Sequence, residues 1–295
     1  MPSRGICVPL IFALISSISL VPASTLCSAE TGKDVAWNLI MSGLHSNSSE
    51  ERVVAVRVLG LLINNNKAGE LAEHALGDDK PEVRSAAATA LGQMHSTASI
   101  SKLRQTLSDK EISVALAAAR ALHTMNDRSG YDFYYEILTG ERKGSEGFIA
   151  KQTAVLHEPK KLAELGFEQG IGYIPYAGMG WDALRVILKN DASPVRAAAA
   201  TMIADDPDPN SAKALVKATQ DKNWIVRVAA LEAISKRGDP TLGVTIETSM
   251  YDPKSEVRFA AAATVVHLTD LAEVSKPVKQ AQTNAEGSPS ARRNE

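Results

Sequence analysis

Asp252-Pro253-Lys254-Ser255-Glu256-Val257-Arg258-Phe259-Ala260-Ala261-Ala262-Ala263 decides the fold of this chain. It is an acidic residue, a turn, a Val-Arg pair and an alanine run, and the pattern recurs. Val195-Arg196 and Val226-Arg227 open similar runs, each 31 residues before the next Val-Arg pair. Val83-Arg84 opens another, and 31 residues on, Val114 opens Ala115-Leu116-Ala117-Ala118-Ala119. Arg52 lies 32 residues before Arg84, and Gly60 then aligns with Gly92. A fixed period of this size marks a solenoid, in which each repeat buries its apolar face only by stacking on its neighbours.

Each repeat reads as two helices, the second carrying the Val-Arg-Ala-Ala run. Asp79, Asp109, Asp191, Asp221 and Asp252 fall four or five residues before the valine position. An Asp there is suited to cap a helix N-terminus. Pro81, Pro194 and Pro253 follow closely, where a first helical turn tolerates proline. Gly238-Asp239-Pro240 reads as a stop and a restart. The alanines let neighbouring helix pairs approach closely. The predicted architecture is an all-α solenoid of about seven antiparallel helix pairs, at 33–63, 67–94, 98–125, 130–156, 181–204, 211–236 and 241–268.

At these residues the chain resembles the HEAT-repeat family, in particular the short HEAT-like repeats of phycobilisome lyase subunits. The resemblance implies a structural ladder between repeats, built here from Arg52, Arg84, Arg196, Arg227 and Arg258 with Asp79, Asp191, Asp221 and Asp252. Ala115 holds the arginine position in the third repeat and would interrupt it. The alternative is a basic stripe for an anionic ligand.

The ends differ in composition from this middle. Residues 1–29 read as a secretory signal: Arg4, an uncharged and mostly apolar run from Ile6 to Val21, then Cys27-Ser28-Ala29 as a cleavage site. Cys7 and Cys27 both fall inside it, so the mature chain would hold no thiol. Residues 30–271 form the solenoid. Residues 272–295 carry no aromatic and no apolar stripe, and are expected to be disordered.

The interval from Val114 to Val195 is 81 residues, 19 more than two periods, which places an insertion near 157–180. Nine of the fourteen aromatics lie between Tyr131 and Trp181. The run Gln169 to Trp181 is uncharged and glycine-rich. Three readings stay open: a plug that holds the two halves in register, a partner-binding loop presenting Phe167, Tyr173, Pro175, Tyr176 and Trp181, or a peripheral membrane contact.

Net charge of −2 argues against nucleic acid. No Gly-Lys-Ser/Thr or complete dinucleotide fingerprint follows the glycines. The six histidines form no metal-ligand pair spacing, and His157-Glu158 is one His-Glu dipeptide where the di-iron enzymes of this architecture use several. From the residues, the expected protein is exported to the periplasm or beyond, non-catalytic, without cofactor or metal, and binds a protein or peptide in the cell envelope. The lyase resemblance implies the alternative: an enzyme or accessory subunit acting on a modified protein, as bilin lyases act on pigment proteins in the cytosol.

Overall fold

The computed structural model describes residues 31–139 and 192–275. All regular structure there is helical. Thr31 opens the first helix with a capping box: its hydroxyl accepts from the Asp34 N–H, and the Asp34 carboxylate accepts from the Thr31 N–H. The helices are α1 (Gly32–Leu44), α2 (Ser49–Leu59), α3 (Asn66–Ala75), α4 (Pro81–Gln93), α5 (Ile100–Thr106), α6 (Ile112–Thr124) and α7 (Arg128–Thr139). After the gap come α8 (Ser193–Met202), α9 (Pro209–Ala218), α10 (Trp224–Arg237), α11 (Gly243–Ile246) and α12 (Ser255–Val274).

The repeats form stacked antiparallel helix pairs. Helices α4, α6 and α10 bury most of their residues and α12 half, and the alanines of α2, α4, α6, α10 and α12 are the reason these helices can pack directly on one another. Gly92 of α4 shows how closely: a β-carbon there would lie 2.9 Å from the Ala121 Cα of α6. Each of α1, α3, α5 and α9 packs on the second helix of its own repeat. Gly238 ends α10 in the left-handed conformation (φ 65°), and Asp239 caps the 3-10 turn Pro240–Leu242.

The stacking order is not the chain order. Helix α12, from the last repeat, packs against both α1 and α2 of the first. Through described helices the second-helix layer therefore runs α8, α10, α12, α2, α4, α6, with the chain's first and last repeats as inner neighbours. In the chain, residues 140–191 lie between α7, which packs on α6, and α8, so the two ends of the series are α6 and α8. Phe259 is 2% exposed and closes the junction: a β-carbon on Gly43 would lie 2.5 Å from its ring and 2.8 Å from Ala55 Cβ. Lys33 of α1 pairs with Asp270 at 2.7 Å and Glu273 at 2.8 Å, and the Asn65 amide donates to Asp270 at 2.7 Å.

Three sequence expectations change in detail. The first helix of the last repeat is broken into the turn Pro240–Leu242, α11 and the 3-10 segment Glu247–Tyr251. Gly243 and the β-branched Val244, Thr245, Ile246 and Thr248 are poor helix formers, which accounts for the break. Pro253 lies in the turn before α12 rather than in its first turn. Helix α12 runs through Val274, past the expected boundary at 271. The expected signal at 1–29 and the insertion at 157–180 lie outside the described residues.

Candidate functional site: the inter-repeat rungs and the second-helix face

The second helices begin with a turn that has two tasks. Asp78, Asp109, Asp221 and Asp252 each lie six residues before the ladder position and accept the backbone N–H two residues on, from Lys80, Glu111, Asn223 and Lys254. This Asx turn precedes the helix, so the aspartates are not its caps. Helices α4, α6 and α12 start without a side-chain cap, and α10 is capped by Asn223.

The same carboxylates then receive the arginine of the neighbouring repeat. Arg84 donates from Nε and Nη2 to Asp109, both at 2.8 Å. Arg52 does so to Asp78 at 2.9 Å, and Arg196 to Asp221 at 2.9 and 3.0 Å. Arg227 donates Nη2 to Asp252 at 2.8 Å, with Nε 2.8 Å from the other oxygen. The paired fork is the strongest geometry available to a guanidinium and a carboxylate. Asp79 adds one bond to Arg52 and is mostly exposed, so the carboxylate in register is Asp78. Asp191 lies outside the described residues.

Electrostatics follow this geometry. Burial pushes the Asp109 carboxyl up, but the Arg84 hydrogen bonds, the Glu111 N–H and the Arg84 charge outweigh it and leave it below the usual carboxylate range. Asp221 behaves likewise against Arg196. Arg84 is itself raised, chiefly by its bond to Asp109.

One turn further along the second helices, five residues after the ladder position, lie Thr201, Glu232, Ala263, Arg57, Thr89 and Arg120. All but Ala263 reach solvent in part or fully. Nine residues after it, Lys236 of α10 pairs at 2.5 Å with Asp205, in the turn that follows α8, and both side chains are exposed. Glu232 lies within this face with its carboxyl pushed up to about 7 by burial.

Of the expected partner-binding residues, Phe167, Tyr173, Pro175, Tyr176 and Trp181 all lie outside the described residues. The aromatics before them sit on α7. Phe133 is buried against Ala115 and Ala119, Tyr131 lies 4.6 Å from the His123 ring, and Tyr135 and Leu138 are exposed. Among the described residues no cluster of His, Cys, Asp and Glu could hold a metal, and no helix is long and apolar enough to cross a membrane.

The model of HEAT repeats matches residues 38–129 and 182–266, more than half of the chain. The chain belongs to the HEAT-repeat family. No curated protein matches it. Among solved structures it is similar to the complex of CpcE and CpcF of phycocyanin lyase from Nostoc sp. PCC7120, at 18% identity and a TM-score of 0.32, covering 88% of this chain and 99% of that one.

This finding corrects the functional expectations. The sequence predicts a non-catalytic chain, periplasmic or secreted, with a partner in the cell envelope. The likeness found is instead to the complex of a phycocyanin lyase. The three expectations are withdrawn. The physical reason for the first is plain: a solenoid brings side chains together from positions about 31 residues apart, so the lack of short catalytic motifs says nothing of activity. The export reading rests wholly on residues outside those described. At this TM-score the likeness in turn carries no activity or compartment to this HEAT-repeat chain.

Proposed function

We propose that this HEAT-repeat chain holds a partner protein on its second-helix face, as a scaffold or as the accessory subunit of an enzyme that modifies that partner. One observation carries the reading: the second-helix layer continues through the α12–α2 junction, so side chains from both ends of the sequence share one extended face. Stacked repeats recognise proteins through such faces. The row Thr201, Glu232, Arg57, Thr89 and Arg120 supports it, because these side chains reach solvent from five different repeats. The resemblance to phycobilisome lyase subunits makes a chromophore-bearing protein the first partner class to try.

The test is affinity capture with the full chain, followed by absorption spectra of what is bound. Thr201→Arg with Arg57→Glu alters two accessible points of the face, and Tyr173→Ala with Tyr176→Ala alters the insertion. The reading predicts that the first pair loses the partner while its thermal melt is unchanged. Capture unaffected by the first pair but lost with the second moves recognition to the insertion.

A further inference from the structure

Three of the five ladder arginines are bonded both to their own turn and to the next repeat. Nη1 of Arg52, Arg84 and Arg227 donates to two carbonyls of its own repeat's turn, and Nε and Nη2 point to the next repeat's aspartate. Arg196 makes the same paired contact to Asp221.

Arg258 is held by the same first clasp. Its Nη1 donates to Asp252 O and Pro253 O, both at 3.1 Å. Its Nε and Nη2 have no carboxylate within ion-pair range among the described residues. The cause lies in the stacking order. The repeat next to α12 in space is the first one, and six residues before Arg52, where the repeats of Arg84, Ala115, Arg227 and Arg258 carry Asp, stands Ser46. Its hydroxyl is turned to Glu51 at 2.7 Å. Arg258 is partly exposed.

We propose that Arg258 is an open rung: a carboxylate-binding site that takes an Asp or Glu side chain of the partner protein. The inference rests on the partner-binding reading above and names the chemistry of one contact in it. The argument is from preorganisation. Two carbonyls already fix the guanidinium plane, as in three complete rungs, so an incoming carboxylate finds a planar fork at little further entropic cost. The four occupied rungs show which ligand the fork accepts.

The site is tested with acetate on the full-length protein. Arginine Nε–H resonances are followed by NMR at pH 7 while sodium acetate is added, against sodium chloride at equal ionic strength, with Arg258→Lys to assign the signal. The expected result is a saturating shift of the Arg258 resonance with acetate alone, while Arg84 and Arg227 stay put. A shift that is absent, or equal in chloride, overturns the proposal. Arg258→Lys keeps the charge and the fold but removes the fork, and is expected to weaken partner capture about tenfold, the worth of one charge-assisted pair. Equal capture by wild type and Arg258→Lys overturns the proposal and leaves the partner reading intact. Capture by neither overturns the partner reading, and the acetate titration then decides the site by itself.

Discussion

Two junctions in this stack solve one packing problem by different means. Between α4 and α6, repeats adjacent in the chain, a small residue (Gly92) admits the neighbouring backbone and a bidentate Arg84–Asp109 pair spans the turn. Between α12 and α1–α2, repeats some 200 residues apart, a glycine again admits the neighbour, but it receives a phenylalanine ring. The rung is missing, and Lys33 and Asn65 reach Asp270 and Glu273 from another direction. The contrast teaches that the rung belongs to the repeat as a unit of sequence. Where two repeats meet only in space, side chains particular to that junction replace it.

The largest expected effect is at the spatial junction. Phe259→Ala is expected to cost roughly 3–5 kcal/mol in urea unfolding, since a 2% exposed ring leaves a cavity bounded by Gly43 and Ala55. If the loss is below about 1 kcal/mol, α12 does not depend on α1 for its stability. Next is the sequence junction: Arg84→Ala is expected to cost about 3 kcal/mol at pH 7, because it strands a desolvated Asp109. That cost should fade in acid. Asp109 sits below its ordinary value when paired, so its contribution is present above the unfolded pKa and lost as pH falls through the folded one. A penalty that does not change between pH 7 and pH 2 would mean that packing of the Arg84 stem, not the ion pair, holds this junction.

A third prediction concerns the shared face. The Glu232 carboxyl is raised to about 7 from 4.5, so the folded state binds the extra proton between those values and stability falls as pH rises through that window. Glu232→Gln is expected to be neutral at pH 4 and to stabilise by about 2–3 kcal/mol at pH 8. Equal melting curves of variant and wild type at pH 8 would show that Glu232 is well solvated. The smallest effect sharpens the comparison itself. Ser46→Asp restores the acid at its repeat position and is expected to add less than about 1 kcal/mol, as partly exposed pairs do. It should also remove the acetate response of Arg258. A retained response would mean that the first and last repeats meet out of the register kept elsewhere.

The sequence made the repeating part of this architecture legible. The Val-Arg positions mark the second helices because a stacked alanine-rich helix needs that pattern in every copy. Gly238-Asp239-Pro240 marked a helix stop correctly because its backbone chemistry is local. What escaped was whatever happens once. Lys33, Gly43, Asn65 and Asp270 belong to no period, so nothing in the chain announced that α12 would meet α1. The choice of Asp79 over Asp78 shows a smaller limit: in an Asp-Asp pair only the register to the arginine six residues on separates the rung from its exposed neighbour. Ser46 was readable in hindsight as a gap in the aspartate series, but its meaning depends on which repeat stands beside it.

The central claim is that the first and last repeats are neighbours, and zero-length cross-linking tests it most directly. A carbodiimide joins an amine to a carboxylate only in contact, and Lys33 lies 2.7 Å from Asp270 and 2.8 Å from Glu273. The account predicts, in the monomer fraction of the full-length protein, a cross-linked peptide pair joining Lys33 to Asp270 or Glu273. Lys33 cross-linked instead to carboxylates elsewhere, or this pair found only between chains, would contradict it.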